Sequence, residues 1–321
     1  MSVPPQERGA ALLTVLLLVA VMATIAAAAL DRIGVGTRFI ANASTASQAR
    51  AWLEMAEQLT ASRIEDRIGA DGSQATLVGG WLGVERNVDL PDGSTVLARV
   101  EDGSNCFNLN SLVQRLPDGR HVARPLAAKQ FAALMVSIGI NQGEASGIAA
   151  AATDYIDPDS QPLPGGGEDA PLPSANQLMA DPSELRLLPN VTDRHYGLLE
   201  RWVCALPMTE LSAINVNTLL PEQAPLLAML LPGRSNLARA RAQIASRPID
   251  GFGSVLSFWQ SPALAGIEPP AEAAEQVKVR TSFFVLRARV KAGEMELAET
   301  ALFDARHLPV RLVRRQWGQS I

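Results

Sequence analysis

The sequence predicts an α+β fold: a long N-terminal helix packed on an antiparallel β-sheet, with a large all-α domain of two related helical units inserted between sheet strands. Three observations carry this. An uncharged apolar run from Ala10 to Leu30 leads, with no proline, into a stretch of helical periodicity that reaches about Arg67. Strand-like alternation occurs twice, over residues 81–100 and again over 277–317, on either side of an Ala- and Leu-rich block. Within that block one phrase is repeated, Phe107-Asn108-Leu109-Asn110-Ser111-Leu112 and Ile214-Asn215-Val216-Asn217-Thr218-Leu219.

The first helix has two parts. As a helix, Ala10 to Leu30 is about 30 Å long, the thickness of a bilayer core. A secretory signal peptide is one reading, since Ala26 to Ala29 offer small residues for cleavage. Against it, the only positive side chain ahead of the run, Arg8, is offset by Glu7, and the run is long for such a peptide. A plain single-pass anchor with Arg8 inside is a second reading. The third is processing at the Gly9/Ala10 junction: a short charged leader ending in Gly before Ala10-Ala11-Leu12-Leu13-Thr14 resembles the site cut in type IV pilins and type II secretion pseudopilins. Beyond Asp31, Ile33, Phe39, Ile40, Ala49, Trp52, Leu53, Ala56, Leu59 and Ile64 recur at near-helical spacing, and predict an amphipathic half lying on a globular head. Gly34 and Gly36 are points where so long a helix could bend or fray.

Gly69 to Ser73 ends that pattern, and Trp81 to Val100 reads as a hairpin turned at Pro91-Asp92-Gly93-Ser94. Strand patterning returns over 277–290, turns at Lys291 to Glu294, continues over 297–303, and allows a last strand over 309–317. Two separate β-domains would each be too small to bury a core, so the strands are predicted to share one sheet.

Between them, helical periodicity marks 127–138, 142–156, 182–188, 193–203, 221–231 and 236–245. In each copy of the repeated phrase, the second Asn or the following Ser/Thr is placed to cap the helix that comes next. The second copy runs on through Leu231-Pro232-Gly233 to Arg247-Pro248 and resembles a helix-hairpin-helix unit, with Arg234, Arg239, Arg241 and Arg247 as candidate phosphate contacts. It lacks the second hairpin glycine, the first copy has no hairpin, and the net charge is −5. Packing or protein contact is therefore the favoured use, with a membrane-anchored DNA-binding or uptake protein as the alternative.

The segment from Asp154 to Asp169 carries the most pointed chemistry. With Asp157 as position 1, Asp159, Gln161 and Glu168 fall at positions 3, 5 and 12, the oxygen-donor spacing of an EF-hand. Pro162 stands where that loop needs Gly, so a calcium loop of different geometry is expected, with Asp154 or Asp169 contributing. The competing reading is a solvated acidic loop. Cys106 and Cys204, the two cysteines of the chain, could pair in an oxidising compartment or remain free thiols. His121, His195 and His307 fall in no catalytic or metal spacing, and no enzyme is expected.

Taken in order, the Gly9/Ala10 junction, the phrase at Cys106 to Leu112, Asp154 to Asp159, Gly166 to Asp169, Asn176, Asp181 to Leu185 and Ile214 to Thr218 resemble general secretion pathway protein K, the large minor pseudopilin of the type II secretion system. The likeness spans essentially the whole chain. It implies a prepilin leader (1–9), a transmembrane part of the helix (10–30), the first portion of a pilin-like head (31–104), an inserted α-helical domain (105–275) and closing strands (276–321). It also implies cleavage by a prepilin peptidase, and an inner-membrane anchor with a periplasmic head. The head would join I-type and J-type minor pseudopilins, with the H-type a further candidate, at the pseudopilus tip. Calcium is implied at Asp157, Asp159, Gln161, Glu168 and Asp169. Most pilins carry Glu at the fifth mature position; here that residue is Thr14, which suits a subunit with none ahead of it. A minor pilin of a type IV pilus is the neighbouring alternative.

Overall fold

A computed structural model describes the chain except for residues 1–4, 72–74, 158–162, 165–175, 234–235, 267 and 319–321. Helix α1 runs unbroken from Pro5 to Asp71. Gly34 and Gly36 do not interrupt it, and a Cβ at either would meet nothing within 4 Å among the described residues. Every residue from Leu12 to Ile33 is exposed. Further along, Ala49, Leu53, Glu57, Thr60 and Ile64 are buried. Their spacing of four, four, three and four residues is one face of a helix, and that face lies on the sheet.

The sheet has five antiparallel strands, β1 (Glu85–Asp89), β2 (Thr95–Asp102), β3 (Phe283–Ala292), β4 (Met295–Asp304) and β5 (Arg311–Gly318), adjacent in that order. The β1–β2 turn forms where sequence places it: Gly93 has φ 80°, and Asp92 Oδ1 accepts the Ser94 N–H at 2.9 Å. Strand alternation sends Phe284, Leu286, Ala288 and Val290 of β3, with Ala301 and Phe303 of β4, toward α1, where they form one core with Leu53 and Ile64.

Strands β2 and β3 are neighbours in space, yet residues 103–282 lie between them in sequence. This insertion is two units of one plan. Each opens on an apolar-Asn strand and closes on a second strand that pairs with it in parallel: Phe107–Asn108 with Val203–Cys204, then Ile214–Asn215 with Val277–Lys278. The first unit holds α2 (Pro125–Ser137), α3 (Gln142–Ile156) and α4 (Asp193–Leu199). The second holds α5 (Ala224–Ala228), α6 (Leu237–Ala245), α7 (Val255–Trp259) and α8 (Ala271–Gln276). The rings of Phe107 and Phe131 stack at 4.6 Å in the common core.

Several helices are shorter than their periodicity predicts. The one expected over 193–203 stops at Leu199, because Val203 and Cys204 leave to pair with the opening strand. The stretch 221–231 is a 3-10 turn, Pro221–Gln223, followed by α5, and in place of a helix over 182–188 there is a 3-10 helix, Pro182–Leu187. A small hairpin, Val113–Arg115 with His121–Ala123, was not foreseen.

Candidate functional site

The outer surface of α1 is the first candidate. Ile33, Val35, Phe39 and Ile40 are exposed and extend the apolar run past Leu30; further on, Met55 and Leu59 are exposed beside β1 and β2, where they line an apolar groove with Trp52, Val88 and Val96. The stripe read from sequence therefore divides in two. Leu53 is 0% exposed and belongs to the head core, whereas Leu59 is 66% exposed. Trp52 is half-buried and donates its Nε1–H to Asp92 Oδ2 at 2.9 Å, tying the β1–β2 turn to the helix. That bond and the Ser94 N–H hold the Asp92 carboxyl below its ordinary value.

Opposite this surface, α1 is clasped to the far edge of the sheet. Arg315 of β5 donates from Nε to Glu57 Oε1 at 2.7 Å and from its Nη2 to the other oxygen, and Glu299 of β4 lies beside the pair. The Val310 N–H donates to Glu65 Oε1 at 2.8 Å, a second tie to the same helix. Sequence reasoning passed over this group. The signal was Glu57 itself, four residues after Leu53 on the buried stripe, where a carboxylate demands a partner.

Within the insertion, the repeated phrase works differently from the capping role read from sequence. The first Asn is the cap: Asn108 Oδ1 accepts from Asn110 N at 3.3 Å, and Asn215 Oδ1 from Asn217 N at 3.0 Å. The hydroxyls of Ser111 and Thr218 donate back to the carbonyls of Asn108 and Asn215. The second Asn turns inward in each copy and grips a remote backbone. Thr218 shares its one hydroxyl proton between the Asn215 carbonyl and Asp102 Oδ2, 2.7 Å away, and Thr281 donates to the same carboxylate oxygen. The end of β2 is thereby locked to the second unit. Burial pushes the Asp102 carboxyl up against the pull of these donors. Cys106 and Cys204 are disulfide-bonded, closing the first unit beside Phe283 and Leu302 of the sheet.

At the carboxylate loop, α3 ends at Ile156 with Asp157 as its C-cap. Asp154 and Asp157 are 2% and 3% exposed, and both oxygens of Asp154 accept the Leu163 N–H at 3.1 Å. Of the expected ligands the structure describes Asp157 and the alternative contributor Asp154; Asp159, Gln161, Glu168 and Asp169 lie outside the described residues. Among the described residues no group of three or more His, Cys, Asp or Glu is arranged to hold a metal. Gly9 and Ala10 lie within α1.

Of the arginines considered for phosphate contact, Arg247 is committed internally, donating from Nη1 to the carbonyls of Val216 and Leu219 at 3.1 and 2.6 Å. Arg234 lies outside the described residues.

Two family models described as type II secretion system (T2SS), protein K match residues 105–208 and 214–280, the same two stretches that the parallel strand pairs close off. The type II secretion system protein K of Klebsiella pneumoniae is 33% identical over 98% of this chain and 97% of its own length. That of Pectobacterium carotovorum subsp. carotovorum is 31% identical, again over 98% and 97%. Among solved structures, a chain of the GspK-GspI-GspJ complex from the enterotoxigenic Escherichia coli type 2 secretion system has a TM-score of 0.73 at 29% identity, covering 85% of this chain and 97% of that one.

Proposed function

Since this chain belongs to the type II secretion system protein K family, we propose that it acts as a minor pseudopilin at the pseudopilus tip, initiating or capping assembly of the filament that drives protein export across the outer membrane. Its partners are I-type and J-type minor pseudopilins, with the H-type a further member, and its role is structural. The observation that carries this reading is α1. One helix presents an exposed apolar first half, long enough to cross a bilayer, and a second half fastened by its buried stripe to a water-soluble head. The anchor sits in the inner membrane and the head in the periplasm, an oxidising compartment where the bond between Cys106 and Cys204 persists.

Prepilin peptidase removes residues 1–9, leaving Ala10 as the first residue and Thr14 as the fifth. A buried carboxylate at that depth would need a partner from the subunit ahead; a tip subunit has none, and Thr serves. Membranes from cells co-expressing the I-type and J-type proteins should yield all three together, with Ala10 at the N-terminus of this chain. Recovery of a soluble chain that lacks residues 10–30 and binds neither protein would end the proposal.

Calcium in the loop from Asp157 to Asp169 is part of the same proposal. Asp157, Asp159, Gln161, Glu168 and Asp169 are an all-oxygen donor set, the kind a hard cation takes. Asp154 and Asp157 are buried at the C-terminal end of α3, where the helix dipole disfavours negative charge. A divalent cation would offset that cost and tie the loop to α3. Chelation should then lower the melting temperature of the wild-type protein, and Asp159→Ala with Glu168→Ala should remove the effect. A melting temperature unmoved by chelator would show that the loop holds no metal.

A further inference from the structure

We propose that Glu299 and Glu57 share one proton where α1 meets the sheet, and that loss of this proton releases β5 from the helix, making the contact a proton-gated clasp. The proposal concerns the head itself, whatever it assembles with. Its basis is a mismatch between acids and bases at a buried seam.

Glu299 sits on β4 with its side chain 0% exposed. Among the described residues neither of its carboxyl oxygens receives a hydrogen bond, and the nearest guanidinium atom, Arg315 Nε, is 3.9 Å away. That guanidinium is already spent on Glu57 of α1, which it holds through two donors. Among the described residues the surrounding elements bring no second cation. From α1 come Glu57 and Glu54, the latter 3.8 Å from Arg315 Nη1. From β5 come Arg315 and Trp317, which faces Glu299 in register, and from β3 comes Ala288. Three carboxyls thus face one guanidinium.

Two ionised carboxylates cannot hydrogen-bond to each other, because each offers only acceptors. The contact between Glu299 and Glu57 becomes a bond only when one of them keeps its proton, and the one without the arginine is Glu299. Burial first, and then the bond to and charge of Glu57, push the Glu299 carboxyl up to about 8. Burial opposes ionisation of Glu57 too, but its bonds from Arg315 and Glu299 prevail and hold it below its ordinary value. The arrangement resembles other close carboxyl pairs in which like charge keeps one member neutral.

The direction of the pH effect follows. Clasped, Glu299 keeps its proton up to about pH 8; unclasped and hydrated, it returns toward its ordinary 4.5. Opening therefore releases a proton between those values, and each rise in pH favours the open form. The stabilisation is full below the ordinary value and is gone once pH has passed the clasped one. β5 is the element freed, because it is an edge strand and Arg315 is its bond to the helix.

Hydrogen exchange of the β5 amides tests this in the full chain held in detergent, after correction for the intrinsic pH dependence of exchange. Opening of β5 should rise by up to about tenfold per pH unit between pH 6 and 8. In Glu299→Gln, whose amide donates to Glu57 at every pH, the rise should vanish while the strand stays protected. A wild-type β5 whose opening does not change with pH overturns the proposal, as does a Gln variant that opens with the same slope. Should that variant fail to fold, carboxyl-13C glutamate labelling of the wild type decides: one resonance titrating near pH 8 supports the clasp, and all titrating below pH 6 overturns it.

Discussion

Asn110 and Asn217 hold equivalent places in the two halves of the insertion, and each side chain closes a pair of hydrogen bonds on the backbone of one remote residue. Asn110 Oδ1 accepts the Met179 N–H at 2.7 Å while its Nδ2 donates to the Met179 carbonyl at 2.9 Å. Asn217 Oδ1 accepts the Phe252 N–H at 2.7 Å and its Nδ2 donates to the Phe252 carbonyl at 3.0 Å. Asn110 also reaches the Leu206 carbonyl at 2.9 Å. An amide is the one side chain that supplies both an acceptor and donors at this length, and it mimics a strand partner for a loop that has none.

Replacing either residue by Ala strands a buried N–H and carbonyl. Each substitution is expected to cost about 2–4 kcal/mol in denaturant unfolding. The two costs should be similar if the units are alike in energy as well as in form. Asn110→Asp keeps the acceptor but loses the donors, and should be no better tolerated than Ala.

Gly251 is the companion of Asn217. Its φ is +83°, and a Cβ would lie 2.7 Å from the Asn217 Cγ. Gly251→Ala should therefore cost more than the roughly 1–2 kcal/mol that a left-handed alanine costs by itself. Gly293 in the β3–β4 turn is the control, with φ +61° and nothing within 4 Å of its Cβ among the described residues. Equal melting losses for Gly251→Ala and Gly293→Ala would show that Asn217 gives way freely.

Asp102 predicts a pH dependence of its own. Its folded value is raised above the ordinary 3.8, with burial as the largest cause. The stability it contributes is therefore complete below that ordinary value and is lost as pH rises through the folded one. Asp102→Asn should flatten the stability profile just above pH 4 relative to wild type. Parallel profiles for the two proteins would count against a raised value.

On α1, neighbouring leucines should answer differently to the same change. Leu53→Glu puts a charge into the core between helix and sheet and is expected to unfold the head. Leu59→Glu should leave unfolding within about 0.5 kcal/mol of wild type and yet prevent co-purification with the I-type and J-type proteins. Retained partners with Leu59→Glu would place the assembly surface elsewhere on the head.

Much of the architecture was legible in the linear chain because it rests on short-range pattern. The apolar run and the absence of proline specify α1; alternation and Asp92-Gly93 specify the β1–β2 hairpin; the repeated Asn phrase announces two units. Helix lengths were overestimated where a tertiary strand pair took over, as Val203 and Cys204 do after Leu199.

What the chain alone determined is which residues are apolar, which can turn and which repeat, because those properties act within a few residues of one another. What only the tertiary structure decided is which of them meet. Glu57 and Arg315 clasp across 258 positions, Cys106 bonds Cys204 across 98, and Leu53 is core while Leu59 is surface. Those pairings depend on the register of the sheet and on the rotation of α1 against it. Both are set by burying the whole core at once, and no local pattern encodes them.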